Sequence, residues 1–210
     1  MPDGNGPIIV GDDGIPRCFW CGTLPDYIAY HDTEWGRPVG DDTRLFEKIC
    51  LEGFQSGLSW LTILRKRDNF RTAFAGFDIE KVAEFGEADV ARLLADAGIV
   101  RHRGKIEAAI NNAKATRRLR DDVGSLAAHI WRHEPAERAA PETMDDLASL
   151  SILEEATALS KDLKKRGFRF VGPTTVTAMF QAAGLVNHHF AGCAIRDAVT
   201  ADRAAFIRPT

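Results

Sequence analysis

The chain lacks any uncharged apolar run long enough to cross a bilayer. It has no low-complexity tract and no tandem repeat, which excludes a collagen-like fibre and a coiled-coil rod. Few segments alternate apolar and polar residues with period two, so little sheet is expected. Residues 1–16 are rich in Gly, Asp and Pro, with neither a basic n-region nor an apolar h-region. That composition excludes a signal peptide and reads as a flexible extension. Cysteine is sparse, at four in 210 residues. Without a secretion signal the compartment is read as reducing, where metal binding or burial is a better account of cysteine than disulfides.

What is present is an ordinary globular composition: 45% hydrophobic and 27% charged, in a length that suits one domain. The net charge of -3 does not suggest a polyanion partner, but its distribution does. Basic residues gather at Arg65-Lys66-Arg67, Arg101 to Lys105, Lys114 to Arg120 and Lys161 to Arg169. Any one cluster reads as a solvated helix face. Four of them beside glycine turns favour a basic face for nucleic acid.

Helical periodicity dominates. Asp42 is read as the cap of a helix running to Phe54, and Ser59 as the cap of one over 60–74. Further helices are expected from Asp78, over 87–97, 104–119, 125–132, 153–166 and 173–183, with 135–144 a polar loop and 197–210 a weakly patterned tail. Gly98 to Gly104 and Gly167 to Gly172 each place a glycine turn before a helix N-terminus flanked by Lys and Arg. Exposed backbone N–H groups there suit a phosphate, although tight helical hairpins also need glycine.

His189 and Cys193 are four apart and would share one face of a helix. Cys18 and His31 lie 13 apart near the other end. Two ligands from each end would make a closed structural zinc site that staples the termini. Cys21 competes with Cys18, and His188 with His189. His129 and His133 share the four-residue spacing but read as surface residues, and Cys50 reads as core.

The segment Leu51-Glu52-Gly-Phe-Gln-Ser-Gly57-Leu58-Ser-Trp60 is the most unusual. Glu52 follows a fully apolar run, so its carboxylate is either at a wet helix end or in a cleft, where it needs a donor or a cation. Tyr30, Trp35 and Trp20 add aromatics nearby in sequence. Aromatic walls with one acid suit a flat cationic group, while the plainer reading of each ring is core.

Five segments together carry a resemblance: 27–36 (YIAYHDTEWG), 50–60 (CLEGFQSGLSW), 97–106 (AGIVRHRGKI), 163–172 (LKKRGFRFVG) and 184–189 (GLVNHH). In this order they resemble the bacterial 3-methyladenine DNA glycosylase I family, from Arg17 to Cys193. The resemblance implies an all-α, helix-hairpin-helix DNA glycosylase fold over 17–196, with one structural zinc on Cys18, His31, His189 and Cys193. It implies base recognition by Glu52 as catalytic residue, with Tyr30, Trp60, Trp20 and Trp35 lining the same region. The Gly57-Leu58 turn would fill the gap left by an extruded nucleotide. Arg103, Lys105, Lys165, Gly167 and Gly172 would contact DNA. Phe170 stands where the wider superfamily has a hairpin glycine, and Thr174 where lyase-active relatives have lysine. Asn187 stands where most relatives in the wider superfamily place a catalytic aspartate, a feature typical of this family, and His188 replaces the usual aspartate before the second zinc histidine.

The activity this implies is hydrolytic release of N3-methyladenine from double-stranded alkylated DNA without strand cleavage, by a monomer in the bacterial cytosol with no membrane association. Two readings compete: a zinc-stapled module that binds lesions without turnover, and a redox protein built on the Cys18–Cys21 pair, which lacks the βαβ context such motifs require.

Overall fold

The structure is a computed structural model that describes residues 6–210. The expected extension over 1–16 falls outside the described residues up to position 5; from there the chain is ordered differently than expected. Strands β1 (Ile8–Val10) and β2 (Pro16–Cys18) pair antiparallel, with Ile8 opposite Cys18. The Asp12–Asp13–Gly14 tip permits the turn, and Arg17 binds back to Asp13 at 2.8–2.9 Å. This hairpin makes the fold mostly, not wholly, helical.

Eleven α-helices follow among the described residues: α1 (Pro25–Thr33), α2 (Asp42–Gln55), α3 (Trp60–Ala73), α4 (Ile79–Ala83), α5 (Glu87–Ala95), α6 (Arg103–Val123), α7 (Leu126–Trp131), α8 (Met144–Ser149), α9 (Glu154–Lys165), α10 (Pro173–Ala182) and α11 (Arg196–Ala205). Ser59, Asp78 and Ser125 cap α3, α4 and α7 through their side chains, as their positions in the sequence suggested. Asp42 does not cap α2. Its neighbour Asp41 does, accepting from the Arg44 N–H at 2.8 Å. Asp42 turns instead to the N-terminus of α7 and accepts from the N–H groups of Leu126 and Ala127 at 3.2 and 2.8 Å. Adjacent aspartates thus close two helices and lock them together.

Helix α2 is the axis of the molecule. Every residue from Leu45 to Phe54 is buried, and the helix packs against α3, α6, α7 and α10. Its apolar side meets Phe70, Phe74 and Phe77, with the Phe54 and Phe70 rings 4.6 Å apart. Aromatic contacts of this kind add to the area term that dominates core stability. A helix buried on all sides carries no solvated face, yet α2 holds Glu47, Lys48 and Glu52.

The C-terminal region departs from a weakly patterned tail. Val199 of α11 is fully buried, Phe206 packs tilted against Trp131 at 4.6 Å, and Arg208 binds Glu134 at 2.8–2.9 Å. Gly184, at φ +74°, lets this end approach the chain near residue 37. A Cβ there would lie 2.4 Å from the Arg37 carbonyl carbon, so no other residue fits. The pieces Arg37, Glu134 and the C-terminal segment are distant in sequence, which is why local periodicity did not reveal them.

Candidate active site

A cavity of about 390 Å³ opens between α1, α2, α3 and α10. Its floor carries Glu52, only 5% exposed, and its walls include Tyr30, Trp20, Trp35 and Trp60. The rings brace one another: Trp20 sits edge-on to Trp35 at 4.8 Å, and Tyr30 lies 5.4 Å from Trp60. The structure therefore brings together every aromatic residue that the sequence placed with Glu52.

No hydrogen-bond donor reaches the Glu52 carboxylate among the described residues. Lys48, the nearest cation, donates instead to Glu34 at 3.2 Å, and Glu34 is also held by Arg67 at 2.6 Å. Burial consequently pushes the Glu52 carboxyl up to about 8, against a small opposing pull from Lys48. Burial, with Glu52 and Glu34 adding to it, also pushes the Tyr30 phenol up. The indole Nε1–H of Trp60 is a second unpartnered buried group beside the cavity. An acid, a phenol and an indole donor without protein partners form a socket for a flat polar ring that carries positive charge.

Sequence reasoning missed Thr174, Thr177, Ala178 and Gln181 as a cavity wall. Their i, i+3, i+4, i+7 spacing on α10 was the available signal. Thr174 was noted only for the lysine it replaces. Tyr27, Gln55 and Leu147 also line the cavity; Leu147 belongs to α8, whose Thr143–Asp146 capping box was legible but unread.

Beside the cavity mouth the chain turns from α2 to α3. Gly57 has φ +80°, and Leu58 is 40% exposed. Gln55 Nε2 donates to the Leu58 carbonyl at 2.8 Å and sets the turn. Lys105 does not face outward, as the sequence suggested. Its Nζ donates to the carbonyls of Phe54 and Ser56 at 2.9 and 2.5 Å, capping the C-terminus of α2, and burial lowers its pKa. Arg103 is half exposed and paired with Glu87 and Glu107 at 2.9 and 3.2 Å.

Helices α9 and α10 meet through a turn in which Gly167 has φ +90°. Lys164 and Lys165 are exposed before it. Phe170 holds φ +54° in spite of its side chain, a strained state, and a Cβ added at Gly53 would lie 3.4 Å from the Phe170 Cβ. Gly172 is the N-cap of α10, with Pro173 at the first position, so the N–H groups of the first turn face outward.

Three of the four expected end-to-end ligands come together, and the fourth, His189, lies beside them. Ligand atoms of Cys18, His31 and Cys193 lie within 4.8 Å of one another, all buried. His189 and Cys193 are not on a helix; both sit in the loop before α11, where the Cys193 N–H bonds the Phe190 carbonyl at 3.1 Å. The His189 ring lies 4.9 Å from that of His31. Its Nε2 is buried without a partner, while its Nδ1 meets Asn187 Oδ1 at 2.9 Å. Burial pushes His189 down to about 4, which keeps it neutral. Cys193 is pushed down and Cys18 up, because the Cys18 thiol donates to the Cys193 sulfur.

Each histidine is oriented from behind. His31 Nδ1 meets Asp32 at 2.7 Å, Asp32 is held by Arg17, and Arg17 by Asp13. Asn187 gives its amide N–H groups to the Arg196 carbonyl and Thr200 Oγ1. It does not line the aromatic cavity. Cys21 lies outside the cluster, and burial pushes its thiol up to about 11. Cys50 is core. His129 is buried against Asp162 at 2.7 Å, contrary to its reading as a surface residue, because Asp162 of α9 reaches its ring.

Comparison with known proteins agrees with this geometry. The family model described as methyladenine glycosylase matches residues 20–197. DNA-3-methyladenine glycosylase 1 of Escherichia coli is 49% identical over 182 residues, 85% of this chain and 96% of that protein. The DNA-3-methyladenine glycosylase of Haemophilus influenzae is 45% identical over 84% of this chain and 96% of its own length. A crystal structure of 3-methyladenine DNA glycosylase I superposes with a TM-score of 0.81 at 46% identity, covering 85% of this chain and 98% of that one. That of the Staphylococcus aureus enzyme, which describes 3-methyladenine recognition, superposes at 0.80 and 37%, covering 86% and 96%.

Proposed function

Because the chain belongs to the methyladenine glycosylase family, we propose that it excises N3-methyladenine from alkylated double-stranded DNA by hydrolysing the N-glycosidic bond. The observation that carries this reading is the unpartnered Glu52 carboxylate at the floor of an aromatic cavity.

Methylation at N3 makes the base cationic. In the stack it is reached only after the nucleotide flips out, at a cost of a few kcal/mol that is smaller for a damaged base. Inside the cavity the cationic ring lies among Trp60, Tyr30 and the Trp20–Trp35 pair. Its positive charge draws the Glu52 proton off, and the resulting carboxylate accepts hydrogen bonds from the ring. Normal adenine is neutral and brings nothing to offset the buried charge. Water adds to C1′ and loses a proton, the C1′–N9 bond breaks, and its electron pair neutralises the ring. A leaving group that departs neutral needs no strong general acid, so binding and positioning supply most of the rate. Thr174 at the cavity rim has no amine to attack C1′, in keeping with a monofunctional enzyme.

The α9–turn–α10 unit serves as the helix-hairpin-helix, holding a DNA phosphate on the outward N–H groups of the first turn of α10, with Lys165 nearby. The Gly57–Leu58 turn enters the gap that the flipped nucleotide leaves. Cys18, His31 and Cys193, with His189 beside them, would hold one structural zinc. Two sulfurs and two imidazole nitrogens are a suitable donor set. The partnerless Nε2 of neutral His189, with both rings oriented by Asn187 and Asp32, supports that fit. The enzyme's place of work is the bacterial nucleoid.

The test is base release from methylated DNA, with freed bases identified by chromatography. Wild type is expected to release 3-methyladenine, and Glu52→Gln to release it at least tenfold more slowly. Equal rates for the two proteins overturn the role of Glu52. Lesion binding without release favours a binding module.

A further inference from the structure

A second cavity, of about 330 Å³, is lined by residues 134–139, 185–188 and α11, and shares no residue with the aromatic one. His188 forms part of its wall and is 4% exposed. Gln181 Nε2 donates to His188 Nδ1 at 3.0 Å, which leaves the ring proton on Nε2. That N–H is buried and has no partner. An orphaned donor of this kind costs about 1–3 kcal/mol unless an acceptor reaches it.

The surroundings are cationic. Arg138, Arg196, Arg203 and Arg208 line the cavity against the carboxylates of Glu134 and Glu137. Glu134 is taken up by Arg203 and Arg208. Arg138 binds Glu155 through Nη2 alone, leaving its Nε and Nη1 unused. Arg196 holds the carbonyls of Asn187 and His189 through Nη1, leaving its Nε and Nη2 unused. Arg138, Arg196 and His188 therefore line one concave site, and their unused N–H groups are donors only.

We propose that this cavity is an anion site for a phosphoryl group, bound by Arg138, Arg196 and the Nε2–H of His188. Guanidinium edges match phosphate oxygens in pairs, and a tetrahedral anion has acceptors left for the imidazole. The group is either a free phosphate or phosphomonoester, or a phosphate of the DNA backbone.

Calorimetric titration of the full chain with inorganic phosphate, at ionic strength held constant with chloride, tests the proposal. Wild type should bind one phosphate saturably. Arg138→Ala removes a side chain that is 40% exposed and should leave the fold intact. His188→Asp places a carboxylate where the anion would sit. Each should bind at least about tenfold more weakly. No saturable binding by wild type, or equal binding by wild type and both variants, overturns the site. The source is read from undamaged duplex. Competition between duplex and phosphate, with weaker duplex binding by Arg138→Ala, assigns the site to a backbone phosphate. Independent binding of the two assigns it to a free anion.

Discussion

Helix α2 carries two buried carboxylates five residues apart, and they are treated in opposite ways. Glu47 is 4% exposed and fully partnered, with Arg44 at 2.5 Å and Arg71 at 2.8 Å. Glu52 is equally buried and has no donor. A carboxylate that is buried and paired holds structure, whereas one that is buried and unpaired costs stability unless a ligand completes it. The same contrast recurs between His129, satisfied by Asp162, and the two orphaned histidines, His188 and His189. Each open group lies where a ligand has been argued to bind.

The sharpest way to break the comparison is Glu47→Ala. It removes the buried carboxylate that Arg44 and Arg71 share and leaves Arg71 with Asp68 alone, which should cost about 2 kcal/mol and lower the melting temperature by roughly 4–8 °C. A shift under about 2 °C would mean that the pairing is not what separates the two carboxylates. Next comes Lys105→Met, which uncaps the Phe54 and Ser56 carbonyls at the Glu52 end of α2. About 2 kcal/mol should be lost, with no change in the salt dependence of DNA binding. A reduced salt slope would restore Lys105 to the DNA face.

Asn187→Ala should weaken zinc retention about tenfold to a hundredfold in chelator competition. It should leave binding of free 3-methyladenine unaltered, since Asn187 lies outside that cavity. Altered base affinity at full zinc loading would refute this placement. The smallest effect belongs to Lys165→Ala, which should leave stability unchanged and lower the salt slope of duplex binding by about one.

Much of this was legible in the sequence. Ser59, Asp78 and Ser125 announce their helices because capping is local chemistry. Glu52 stands out because an acid after Ile49–Cys50–Leu51 breaks the apolar pattern. What was not legible depends on contacts distant in sequence. The β1–β2 hairpin is held by Arg17 reaching Asp32, and α11 is fixed by Arg37 and Glu134. Lys105 reads as a surface cation until α6 is seen to cross the end of α2. The resemblance marks Asn187 as a substitute for an aspartate, but only the loop path shows that its side chain turns toward His189.

The central claim is that Glu52 is held without a partner for a cationic base, and its proton tests this most directly. In the unfolded chain Glu52 titrates near 4.5; in the folded chain burial holds its proton to about 8. Between these values the folded state binds more protons, so stability falls as pH rises, by about 1.4 kcal/mol per pH unit. Glu52→Gln has no such proton. Thermal unfolding of both proteins without base, from pH 5 to pH 9, should show the variant gaining on wild type as pH rises and levelling off above about 8. A constant difference across that range would mean that the carboxylate is already partnered, and would contradict the account.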